Sequence, residues 1–142
     1  MNHVSDILLR KGDKSVSVSP DATVLEALKL MAENNIGSVL VMQNDQYLGI
    51  VTERDYSRKV ILVGKNSTDT KVGEIMTSDL PRVSPTDTVE HCMGLMTNSQ
   101  IRYLPVFESD KLKGIISITD VVKETILKQE QTINHLNDYI NS

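Results

Sequence analysis

Tryptophan is absent from the 142 residues, phenylalanine occurs once and tyrosine four times. Proteins that read single-stranded bases by stacking need aromatics interleaved with basic residues, and this chain has neither the aromatics nor the interleaving. Charge agrees: fifteen Lys and Arg against nineteen Asp and Glu divide as eight against nine over residues 1–70 and seven against ten over 71–142, so neither half is basic. Nucleic acid is not an expected partner. A single cysteine, Cys92, excludes an internal disulfide and any zinc site built on several thiolates. No apolar run approaches the roughly 18 residues of a membrane helix, and the opening MNHVSDILLRKGDK has no signal-peptide apolar stretch. The expectation is no membrane association and a cytoplasmic setting. Hydrophobic residues at 39% and charged residues at 24% give the balance of a soluble globular protein.

What the chain does contain is a duplication. Offset by 65 positions without a gap, Val18-Ser19-Pro20 falls on Val83-Ser84-Pro85 and Asp55 on Asp120, with 13 identities in 38 positions. A shorter echo precedes each copy, Val4-Ser5-Asp6-Ile7-Leu8 and Val72-Gly73-Glu74-Ile75-Met76, with three extra residues before the first Val-Ser-Pro. The expected division is one repeat at 4–65, a second at 66–128 and a helical extension at 129–142. Two copies rather than many point to a pair packed by pseudo-two-fold symmetry.

Each copy reads as strand, helix, strand, strand, helix, an α+β fold of two three-stranded units. Thr23 with Glu26, and Asp87 with Glu90, have capping-box spacing and mark helix starts. Val24, Leu28 and Met31, like Val89, Met93 and Met96, then recur at helical spacing as core faces. Hairpins are expected around Asn44-Asp45 and Ser109-Asp110. One departure separates the copies: Leu40 in the first is Pro105 in the second.

Both hairpins run into the same punctuation, Gly49-Ile50-Val51-Thr52-Glu53-Arg54-Asp55 and Gly114-Ile115-Ile116-Ser117-Ile118-Thr119-Asp120. A strand glycine allows close approach of another backbone or of a ligand. Thr52 with Asp55, and Ser117 with Asp120, suit a capping box, which spacing alone favours. The same atoms suit a nucleotide, because a helix start offers N–H donors to phosphate while a carboxylate accepts hydrogen bonds from a ribose diol.

The repeated Val-Ser-Pro-x-x-Thr-Val opening, the Gly-x-x-[Ser/Thr]-x-x-Asp closing and the strand Ile-Arg-Tyr-Leu-Pro-Val make residues 4–127 resemble a tandem pair of CBS domains, a Bateman module, of the stand-alone bacterial kind. The resemblance implies a regulatory, signal-transducing role through an adenosyl ligand such as AMP, ADP, ATP, NAD or S-adenosylmethionine in the cleft between repeats. It implies that Asp55 and Asp120 take ribose hydroxyls, with Thr52 and Arg54, and Ser117 and Thr119, at phosphate. It further implies completion across repeats: Lys14, Ser15, Ile36 and Gly37 for the Asp120 site, and Ser78, Asp79, Ile101 and Arg102 for the Asp55 site. Arg54 and Arg58, with Arg102 from across the cleft, would then favour more phosphate charge at Asp55 than Thr119, Lys123 and Gly37 would at Asp120. Arg54 and Arg58 also read simply as a solvated helix face.

Catalysis is not expected. His3, His91 and His135 have no metal-ligand spacing, Cys92 replaces Ala27 of the first copy as a small core residue, and no nucleophile elbow, P-loop or Gly-x-Gly-x-x-Gly run occurs. A scaffolding pair without ligand, and an enzyme acting on nucleotides, are the competing readings. Val122, Ile126, Gln129, Ile133, Leu136 and Ile140 are spaced 4, 3, 4, 3, 4, a coiled-coil seam that suits a homodimer. The regulated protein is expected in trans.

Overall fold

A computed structural model describes residues 2–12 and 15–141. The chain runs α1 (Val4–Lys11), β1 (Ser17–Val18), α2 (Val24–Asn34), β2 (Ser38–Gln43), β3 (Gln46–Thr52), α3 (Glu53–Tyr56), a π-helical stretch (Ser57–Ile61), α4 (Val72–Ile75), α5 (Val89–Ser99), β4 (Tyr103–Glu108), β5 (Lys111–Ser117) and α6 (Ile118–Asn141). It forms two compact units. One is residues 15–80; the other joins the N-terminal segment that carries α1 to the chain from Pro81 onward. The segment ahead of the first repeat is thus built into the unit of the second.

In the 15–80 unit β1 pairs parallel with β2, and β2 antiparallel with β3, from Ser38↔Thr52 to Gln43↔Gln46. Asn44 and Asp45 turn this hairpin with φ of 53° and 64°, the left-handed conformation that short side chains bonding their own backbone tolerate. Thr23 caps α2 by accepting from the Glu26 amide at 3.2 Å. Behind it Val24, Ala27 and Met31 pack on Val39, Val41 and Val51, with Val60, Val72 and Ile75 closing the core.

The second unit repeats the hairpin, Tyr103↔Ser117 to Glu108↔Lys111, around Ser109 and Asp110 with φ of 51° and 64°. Its helix start differs from expectation by one residue. Thr88, not Asp87, caps α5 by accepting from the His91 amide at 3.1 Å, because the Asp87 carboxylate turns back to the Ser84 amide at 2.7 Å. The expected third strand is also reduced, to a single parallel bridge between Val83 and Val106. The cause is the Leu40-to-Pro105 difference. Leu40 donates its amide to the Val16 carbonyl at 3.0 Å and extends the first ladder, whereas Pro105 has no N–H to donate. Only Val83 N to Pro105 O, 3.1 Å, and Phe107 N to Val83 O, 2.8 Å, remain. Val4 and Ile7 of α1 complete this core with Val89, Cys92, Met96, Leu104, Val106, Ile116 and Val121.

The closing helices are unlike. The first repeat has one α-turn and a π-helical stretch, while the second has the 24-residue α6, of which only Val121 and Glu124 are buried. The seam stands open, with Ile133 56%, Leu136 58% and Ile140 74% exposed.

Candidate functional site

Thr52 ends β3 and caps α3. Its hydroxyl accepts from the Asp55 amide at 3.0 Å, while Oδ2 of Asp55 accepts from the Thr52 amide at 3.0 Å and from its hydroxyl at 3.1 Å. The capping box read from spacing is therefore present. The other oxygen, Oδ1, accepts from the Thr77 hydroxyl at 3.1 Å and lies 3.0 Å from the Lys59 ammonium, which also donates to the Ile75 carbonyl. Asp55 is buried, and Arg54 and Arg58 are exposed.

Gly49 explains how Thr77 reaches this carboxylate. Ile50 and Thr77 exchange two backbone hydrogen bonds of 2.9 Å, and a Cβ on Gly49 would lie 2.6 Å from the Thr77 carbonyl oxygen. The strand glycine admits a backbone, the first of the two uses its position allowed.

In the second unit Ser117 ends β5 and starts α6. Its hydroxyl accepts from the Asp120 amide at 3.1 Å, and Oδ2 of Asp120 accepts from the Ser117 amide at 2.8 Å. Lys11, in the last turn of α1, donates to the same Oδ2 at 2.8 Å and to the Ile115 carbonyl at 2.9 Å. One turn along α6, the buried Glu124 accepts from Arg10 and from the Asn2 amide at 3.0 Å. Thr119 and Lys123 are exposed.

The hairpin register places four of the remaining candidates within their own units. An antiparallel hairpin sets the start of its first strand beside the end of its second, and each helix start follows that end. Gly37 accordingly accepts from the Glu53 amide at 3.1 Å, and Ile36, Gly37 and Glu53 share a hollow of about 330 Å³ with α2, so Ile36 and Gly37 stand with Asp55. By the same register Arg102 accepts from the Ile118 amide at 2.8 Å, so Ile101 and Arg102 stand with Asp120. Ser78 and Asp79 follow Thr77 and are exposed, as is Ser15; Lys14 lies outside the described residues.

Three residues of these constellations were not anticipated. Lys59 stands four residues beyond Asp55, an ion-pair spacing on a helix that was readable. Thr77 and Lys11 follow the two echo segments by one and three residues, and only the tertiary fold brings them to a carboxylate.

Burial first, then the nearby Asp87 carboxylate, push the Cys92 thiol up to about 11, so it is protonated near neutrality and packs as a small apolar residue. Among the described residues no group of three His, Cys, Asp or Glu could hold a metal ion, and no helix is long and apolar enough to cross a membrane.

The CBS domain family model matches residues 4–61 and 72–126. CBS domain-containing protein CBSX3, mitochondrial, of Arabidopsis thaliana is 37% identical over 146 residues, covering 96% of this chain and 71% of that one. A proposed signal-transduction protein with CBS domains from Burkholderia ambifaria MC40-6 superposes with a TM-score of 0.82 at 44% identity, over 89% of this chain and 93% of that one. The CBS domain pair of protein MJ0100, solved with 5′-methylthioadenosine and S-adenosyl-L-methionine, shares the fold with a TM-score of 0.77 at 22% identity, over 90% of this chain and 98% of that one.

Proposed function

Because the chain belongs to the CBS-domain family and carries two copies of the domain, we propose that it is a regulatory, non-catalytic module that binds an adenosine-containing ligand and passes its occupancy to a partner protein. The observation that carries this reading is the hydroxyl–carboxylate pair at the helix start that closes each hairpin. A carboxylate can accept from both hydroxyls of a ribose, and the backbone amides and the hydroxyl beside it can donate to phosphate. MJ0100, with the same fold, holds two ligands that both carry an adenosyl part, which supports AMP, ADP, ATP, NAD and S-adenosylmethionine as the ligands to try. Ligand biases a partner only by differential affinity for two states of the pair.

Binding to the native state alone stabilises it by about 2.7 kcal/mol at a ligand concentration 100 times Kd. In a chain of this length that is a rise in Tm of roughly 5–10 °C. Thermal unfolding with each of the five ligands should show such a rise for at least one. A flat response to all five would leave the scaffolding reading in possession.

The open face of α6 supports a homodimer. Ile126, Ile133 and Ile140 at the a positions, with Val122 and Leu136 at d, follow the β-branched and leucine alternation of two-stranded parallel coiled coils, interrupted by Gln129. Ending the chain after Lys128 should halve the mass measured by light scattering; an unchanged dimer mass would remove the tail from the interface.

A further inference from the structure

The two ribose-binding candidates differ in what they can still accept. A carboxylate offers about four lone-pair directions. Asp55 has filled them, from the Thr52 amide and hydroxyl on Oδ2 and from the Thr77 hydroxyl and Lys59 ammonium on Oδ1. At Asp120 the Ser117 amide and the Lys11 ammonium both end on Oδ2, and Oδ1 accepts no hydrogen bond among the described residues.

The sequence shows why the second repeat lacks the other two donors. The 65-residue offset puts Glu124 in the place of Lys59, and Glu124 turns to Arg10 and Asn2. The echo before each repeat puts Leu9 in the place of Thr77, and Leu9 is 87% exposed and has no hydroxyl.

Resting on the adenosine-binding reading above, we propose that each chain takes one ligand, with its ribose on Asp120, and that Asp55 is an internal lock joining β3, α3 and the Thr77 segment. A ribose hydroxyl reaching Oδ1 of Asp120 displaces only water. Its neighbour can share Oδ2 as the partly exposed Lys11 swings away, leaving that ammonium for phosphate. At Asp55 the same diol must displace the Thr77 hydroxyl as well as an ammonium, and the net value of that one additional hydrogen bond is roughly tenfold in Kd. The order is the reverse of the one Arg54 and Arg58 alone suggest.

Titration calorimetry of the full chain with AMP, ADP and S-adenosylmethionine in turn tests this. Wild type should bind one equivalent per chain, and Asp120→Asn should weaken binding at least 100-fold. The double variant Thr77→Val with Lys59→Met, which frees Oδ1 of Asp55, should gain a second equivalent. Two equal equivalents in wild type, or full binding by Asp120→Asn, would overturn the one-site assignment while keeping the adenosine reading. No heat from any of the three with wild type would sink both.

Discussion

Gly49→Ala is expected to lower the unfolding free energy by roughly 2–4 kcal/mol in a urea titration, while Gly94→Ala raises it by roughly 0.5–1 kcal/mol. The substitution is the same and the surroundings decide its sign. Gly94 lies in the middle of α5, and a Cβ there meets nothing within 4 Å, so alanine only reduces the freedom of the unfolded chain. At Gly49 the new Cβ lies 2.6 Å from the Thr77 carbonyl oxygen and 3.2 Å from its carbon. Both are backbone atoms, so relief requires moving the Thr77 segment off β3 and loosening the paired hydrogen bonds to Ile50. The Thr77 hydroxyl would leave Asp55 with them, undoing the lock. Equal effects at the two glycines would show that the approach of the Thr77 backbone to β3 is not what Gly49 is for.

Arg10→Met is the second change expected to be large, at roughly 2 kcal/mol. The Glu124 side chain is 4% exposed and its partners are Arg10 and the Asn2 amide. Removing the guanidinium leaves a buried carboxylate with one neutral donor, a change that costs about 3–5 kcal/mol where no water can enter. The Arg10 side chain is 49% exposed, so water can follow it, and the lower figure applies. Glu124→Gln is expected to cost under about 1 kcal/mol, because it keeps the shape and returns Arg10 to solvent. A double-mutant cycle should then show the double variant less destabilised than the sum of the two. Additive effects would mean the pair is a surface contact without energetic weight.

These cases mark what could be read before the fold was known. The 65-residue offset, the hairpin turns, the Thr23 cap and the two hydroxyl–carboxylate pairs rest on local chemistry, and local chemistry is written in neighbouring residues. The cap of α5 is local too, since the offset itself pairs Thr23 with Thr88 rather than with Asp87; and an antiparallel hairpin implies that Gly37 neighbours Glu53 and Arg102 neighbours Ile118. The loss of the third strand was half legible, since Pro105 was visible and its missing N–H follows from its identity. Thr77 at Asp55 and Lys11 at Asp120 were not, because those contacts span 22 and 109 residues and depend on where the echo segments dock.

That docking also sets an order for synthesis. The 15–80 unit is continuous and has all its core residues, from Val24 to Ile75, once its stretch of chain is free. The other unit is not. Val4 and Ile7 are made first, yet the core they complete waits for residues as late as Ile116 and Val121. A finished unit then sits within the loop that this late contact must close, and loop closure grows costly only slowly with length. The first helix made is among the last to find its place, so a chain that has emerged only as far as residue 80 would carry one folded unit and a helix whose apolar face, Val4 and Ile7, has nothing yet to cover it.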